Sequence, residues 1–290
     1  MKKHWIAAIV LFTVVLLSGC VLHQTTEQEE LEQFELIQEN ICTLSNGGSI
    51  DVYRSNRRYG NFYMIDNGSF ILNTDNTFYL QSANVLTDKQ KSFIQAYYEQ
   101  QELPYNLLDE LEKAYTLYTA RQEKNITYLN IQPAAEDEHV YSPPSIDISW
   151  QVVGYNDNII CVEQYYYTPA PLERLRNPLS EINEIMTYYT STIFDSHTGE
   201  VINQYDLFTI PQDEIPEVLL KYSAYLGDDE IVHQMMAEMK PEYLSFTDHG
   251  ISISFPDGVI GDGSSYMETI HYNHVDDVLY SWAIPNAKEE

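Results

Sequence analysis

Between residues 50 and 80 apolar positions come in short runs of strand length, and Asn67-Gly68 separates Phe62-Tyr63-Met64-Ile65 from Phe70-Ile71-Leu72. An Asn-Gly pair between two apolar runs is a strong two-residue hairpin signal, so a small β-meander is expected here. The period then lengthens. Thr87 or Asp88 is placed to cap a helix running to about Gln101, and Leu107, Leu108, Leu111, Tyr115 and Tyr118 stripe a second helix from about Tyr105. Pro104 lies between the two, which predicts a helical hairpin. Upstream, Leu31, Phe34 and Ile37 have helical spacing and predict a brief helix within residues 27–40.

Residues 133–144 carry three prolines and three acidic residues, which predicts a loop and a domain boundary. Beyond it Ile146, Ile148, Trp150 and Val152 alternate with Asp147, Ser149 and Gln151, and Tyr155-Asn156-Asp157-Asn158 supplies a turn into a strand over 159–168. A further strand is expected to end at Asp195, with a turn over 196–199 and a strand from Glu200. Two helices follow, one marked by Ile215, Val218, Leu219 and Tyr222, the other by Ile231, Met235 and Met239, with Gly227 between. Alternation of Ile251, Ile253 and Phe255 with serines, and a strand over 266–274, close the pattern. The expected fold is α+β: an antiparallel sheet with helices packed on one side, plus a smaller N-terminal β-meander and helical hairpin.

The N-terminus changes the setting. Lys2 and Lys3 precede an apolar run over residues 5–17, closed by Leu17-Ser18-Gly19-Cys20. The run is shorter than the roughly 20 residues that span a bilayer, and it resembles a bacterial lipoprotein signal cleaved between Gly19 and Cys20. Cys20 is then the lipidated first residue, and two or more acyl chains give a lasting membrane anchor where one does not. The expected organisation is a signal peptide over 1–19, a tether over 20–26, an N-terminal α+β region over 27–132 and a C-terminal α+β domain of ligand-binding type over 145–290. The expected location is the cell membrane, lipid-anchored on its extracytoplasmic side.

With 15 Lys and Arg against 44 Asp and Glu, the net charge is −29. Such a field repels nucleic acid and speeds encounter with cationic partners. The 24 Tyr and 10 Phe supply the buried area that acidic disordered tails lack. Tyr165-Tyr166-Tyr167 and Tyr188-Tyr189 read either as cross-strand aromatic pairs on a half-buried sheet or as a carbohydrate platform. In an extracytoplasmic setting Cys42 and Cys161 are a candidate disulfide, although Cys161 within Ile159-Ile160-Cys161-Val162 also suits a small buried apolar position.

Chemistry-bearing patterns are few. None of the eight histidines forms the Glu-flanked helical pair of metalloproteases, and no serine lies in a Gly-x-Ser-x-Gly elbow. His271 and His274, three apart on an expected strand, point to opposite faces. No catalytic residue, metal ligand or cofactor is assigned. Asp257-Gly258 and Gly261-Asp262-Gly263 lack the EF-hand spacing and fit a plain turn better than a calcium loop.

Phe194-Asp195 with Thr198-Gly199-Glu200, then Tyr205-Asp206-Leu207-Phe208, then Phe246-Thr247-Asp248-His249-Gly250-Ile251, form a recognisable series. Over residues 145–280 it resembles the extracytoplasmic domain of unknown function found in lysozyme-sensing anti-sigma factors and beside polysaccharide deacetylase domains. Gly199 suits a turn position of positive φ, and Leu207 with Phe208 suits a core cap. The resemblance implies an α+β domain that binds something at the cell surface, in one branch a lysozyme, which is a basic protein. Pro256, Asp257 and Asp262 mark the candidate binding loop; the family's tyrosine is missing there. Only the signal precedes Cys20, so direct control of transcription is not expected. The function expected is non-catalytic binding of a protein or other ligand, with an envelope hydrolase or a structural partner of a membrane complex as the alternatives.

Overall fold

A computed structural model describes residues 36–55, 62–124, 143–170, 185–225, 227–261 and 265–285. A mixed α+β fold is built on one large, mostly antiparallel sheet. Its strands are β1 (Leu36–Thr43), β2 (Ser49–Ser55), β3 (Phe62–Asp66), β4 (Ser69–Asp75), β5 (Leu80–Gln81), β6 (Ser145–Tyr155), β7 (Ile159–Pro169), β8 (Ile185–Asp195) and β9 (Val201–Ile202). The order is β1-β2-β3-β4-β6-β7-β8-β9, with β5 also paired to β6. The β3–β4 hairpin turns on Asn67 (φ 49°) and Gly68 (φ 85°), the two positive φ values of a type I′ turn.

Both parallel pairings fall on β6. Asn73, Thr74 and Asp75 of β4 lie opposite Ser145, Ile146 and Asp147, and Leu80 and Gln81 of β5 lie opposite Trp150 and Gln151. The crossover carries α1 (Asp88–Gln100) and α2 (Leu107–Gln122), as a parallel pairing requires a long connection. Thr87 starts α1 with a capping box: Gln90 N donates to Thr87 Oγ1 (3.3 Å) and Thr87 N donates to Gln90 Oε1 (2.9 Å). Asn106 Oδ1 starts α2 by accepting from Leu108 N (2.9 Å).

One sheet therefore runs through both regions that flank residues 133–144. Those acidic and proline-rich residues lie outside the described set, Pro143 and Pro144 excepted.

The apolar run 159–162 serves both faces of β7. Ile160 and Val162 join a core with Ile94, Leu111, Ala114 and Tyr118 of the first helices. Ile159 and Cys161 join a second core with α3 (Ile215–Leu220), α4 (Asp229–Glu238) and a three-stranded sheet, β10 (Leu244–Phe246), β11 (Gly250–Phe255) and β12 (Tyr266–His271). Successive strand side chains point to opposite faces. Helices thus contribute to the cores on both faces, where a single helical side was expected.

Other expectations shift. The helix read over 27–40 is strand where it is described: β1 pairs antiparallel with β2 from Leu36 opposite Ser55 to Thr43 opposite Ser49. Three apolar residues at helical spacing are a weak signal beside a ladder of main-chain hydrogen bonds. Leu31 and Phe34 lie outside the described residues. All six residues of β11 are buried, serines included, because the strand is covered on both faces. The last strand stops at His271; residues 272–274 form a short 3-10 turn, and His274 stacks on Tyr222 at 4.7 Å.

Candidate functional site

Strand β6 is bulged near its end, where pairing with β7 shifts between Val152 and Gly154. Bulges bend a strand and re-aim its side chains. Gly154 here passes so close to β10 that a Cβ would lie 2.0 Å from Phe246 O. On the other edge of β6, β5 ends at Gln81. Ser82 then takes a left-handed conformation (φ 56°, ψ 21°) and leads the chain away into a short 3-10 turn over 83–85.

These departures leave a cleft of about 510 Å³. One wall is residues 151–155 of β6, a second is the turn from Ser82 to Val85, and a third is the β10–β11 turn over 247–249 with Thr269.

The third wall is held by its own hydrogen bonds. Thr247 Oγ1 donates to Gly250 O (2.9 Å) and accepts from Gly250 N and His249 N (both 3.2 Å). Tyr272 donates its hydroxyl to Thr247 O (2.9 Å), and burial pushes that hydroxyl's pKa up, so it stays a donor. Asp248 and His249 bring a carboxylate and an imidazole to the cleft, His249 Nε2 lying 3.4 Å from Asp248 Oδ1. Asp248 keeps 21% of its side chain exposed and His249 71%. The cleft can accept donors and a cation at Asp248; among the described residues no cluster of His, Cys, Asp and Glu could hold a metal.

The series of motif residues divides between two places. Thr247, Asp248 and His249 line the cleft. The Asp195-to-Glu200 turn instead packs beneath α1, where Lys89 Nζ donates to His197 O (2.8 Å) and Gln90 Nε2 donates to Ser196 O (3.2 Å). Asp195 Oδ1 accepts from Thr198 N (2.7 Å) and His197 N (2.9 Å), and the Thr198 bond leads in holding its carboxyl below the usual range. Gly199 has φ 79°, and Leu207 and Phe208 are buried in the second core, as their positions in the sequence suggest.

The candidate loop lies elsewhere. Pro256 is buried, and Asp257 is tied to strand β8: its Oδ2 accepts from Thr187 N (2.6 Å) and its N donates to Thr187 O (3.1 Å). Asp262, Gly19 and Cys20 lie outside the described residues.

The tyrosines form the cross-strand pairs. Tyr166 stacks on Tyr188 at 4.9 Å, and Tyr165 faces Tyr189 at 6.3 Å on the opposite side of the sheet. Burial, then Tyr167, Glu163 and Asp257 nearby, push the Tyr189 hydroxyl up.

Cys42 and Cys161 are both free thiols. Cys42 packs against the first core while Cys161 is buried in the second, which separates them by the sheet. The Cys161 sulfur accepts from Phe246 N (3.3 Å) and lies 3.2 Å from Ser191 Oγ. The wall formed by Ser82 to Val85 had no signal in the sequence, since it depends on where β5 stops pairing.

No helix among the described residues is long and apolar enough to cross a membrane. No family model matches the chain, and neither does any curated protein. Among solved structures it is similar to a DUF3298 family member from Bacteroides fragilis, 14% identical over 86% of this chain and 93% of that one, with a TM-score of 0.40. It is similar also to a DUF3298 family protein from Pseudomonas aeruginosa, 12% identical over 77% of this chain and 91% of that one, with a TM-score of 0.37.

Proposed function

We propose that this chain is an extracytoplasmic lipoprotein, held at the membrane by lipid on Cys20, whose folded body binds a cationic partner and catalyses no reaction. The observation that carries the reading is the excess of 44 acidic over 15 basic residues, set on a body with two cores rather than on a disordered tail. The cleft beside Asp248 gives that charge a place to act. A basic protein of the lysozyme kind is the partner to try first, in keeping with the motif resemblance. Charge of this kind sets the encounter rate and is screened by salt.

The test passes the full chain in detergent over immobilised lysozyme across a salt series. Saturable binding that weakens as salt rises, beyond that of an acidic control protein, supports the reading. No retention at low ionic strength overturns it for lysozyme. The tether is checked separately: Cys20→Ser is expected to release the protein from the membrane fraction.

A further inference from the structure

The main-chain pairing of β6 is one-sided at its end. On one edge β7 runs alongside: Val152 faces Val162, Gly154 faces Cys161 and Tyr155 faces Ile160. On the other edge β5 stops at Gln81, opposite Gln151. Among the described residues no strand pairs with that second edge beyond Gln151. The cleft lies along it, and its wall takes in five consecutive residues, 151–155. A strand that presents its edge to a space lines it with consecutive residues, since alternate side chains leave for opposite faces.

The dimensions suit one more strand. A residue in a sheet occupies about 3.3 Å along the strand, 4.8 Å across it and 10 Å through the layer, or about 160 Å³. A cleft of about 510 Å³ therefore holds about three residues, close to the length of edge over 152–155. The far wall presents the acidic Asp248, and the chain as a whole is at −29.

We propose that the cleft receives an extended basic peptide segment of the partner, which adds as a strand to the free edge of β6 at residues 152–155 with a Lys or Arg beside Asp248. This rests on the reading of the chain as a binding protein and gives that reading its mode of recognition. Strand addition takes affinity from main-chain hydrogen bonds and specificity from alternate side chains. Ser82 makes the slot available, because its left-handed turn carries the chain off the line that β5 would otherwise continue.

The probe is the capped hexapeptide Lys-Val-Lys-Val-Lys-Val, titrated into the full chain in detergent. Its partner probe is the same peptide N-methylated on alternate backbone nitrogens, which keeps charge and side chains and removes donors. Saturable binding of the parent, with the N-methylated form about tenfold weaker or worse, is the expected result; loss of two main-chain hydrogen bonds suffices for that. Thr269→Trp, at an exposed position on the cleft wall, is expected to weaken the parent peptide by a similar factor. Equal binding of the two peptides, or no binding of either, overturns strand addition, and the peptide comparison needs no variant to fold. Lysozyme retention is read in parallel. Peptides that behave as stated while lysozyme fails would leave the slot standing and remove that partner; the reverse would remove the slot alone.

Discussion

Gly199 lies directly against Phe93: a Cβ added at position 199 would sit 2.6 Å from Phe93 Cγ, at a backbone φ of 79°. The turn after β8 is thereby locked to helix α1, more than a hundred positions earlier in the chain. Both the turn geometry and the close approach exclude a side chain.

Gly199→Ala is expected to destabilise the protein by about 2–4 kcal/mol, from a left-handed conformation made costly by Cβ and from crowding against the ring. Phe93→Leu should be mild by itself and should return part of that loss when combined with Gly199→Ala. Urea unfolding of the four proteins measures it. Strict additivity would show that the ring contact carries none of the cost.

Glu163 is half-buried, its Oε1 accepting from Ser245 Oγ (3.2 Å), and desolvation raises its carboxyl above the ordinary range. An acid whose folded pKa is raised binds its proton more readily when folded. Its contribution to stability is therefore largest at low pH and falls as pH rises from the ordinary value of about 4.3 through the raised one. Glu163→Gln is expected to remove that dependence and to be more stable than the native protein at pH 7 by up to about 1 kcal/mol. Melting curves between pH 4 and 8 test it; parallel profiles for both proteins would refute the assignment.

Burial pushes the Cys161 thiol up to about 12. Native alkylation with iodoacetamide at pH 8 should therefore leave Cys161 unmodified while reaching the half-buried Cys42. Both should react in denaturant. Peptide mass mapping reads the result, and it also tests the pairing, since a disulfide would leave neither thiol to label without reductant.

Asn156 joins two distant segments through one side chain. Its Oδ1 accepts from Asn158 N (2.7 Å) and Ile159 N (2.9 Å), while its Nδ2 donates to Trp282 O (2.9 Å) and Ile284 O (2.8 Å). Asn156→Asp keeps the turn acceptor and loses both donors. A cost of about 1–3 kcal/mol is expected, with faster amide exchange over residues 280–285. Unchanged exchange there would mean that the tail is held by packing alone.

Much of the local structure was legible in the sequence. Asn67-Gly68 specifies its hairpin, Thr87 and Asn106 start their helices, and Ile146, Ile148, Trp150 and Val152 face one core as their alternation suggests. Leu36 to Asn40 was misread because their place is set by pairing with β2, which no local spacing reports. The cleft was legible on one wall only. Thr247, Asp248 and His249 stand out as a motif; Ser82 and Val85 do not.

Caps, turns and alternation depend on residues a few positions apart, so the sequence by itself determined them. It determined as well the acidity of the chain and the positive φ required at Gly199. Tertiary structure decided that β4 and β5 share β6, that the turn after β8 lies beneath α1, and that the end of β6 keeps a free edge beside Asp248. Hydrophobic burial drives such assembly, and it is non-directional. Which distant surfaces meet is settled by their combined shape and by main-chain pairing, and neither is written in any single stretch of the chain.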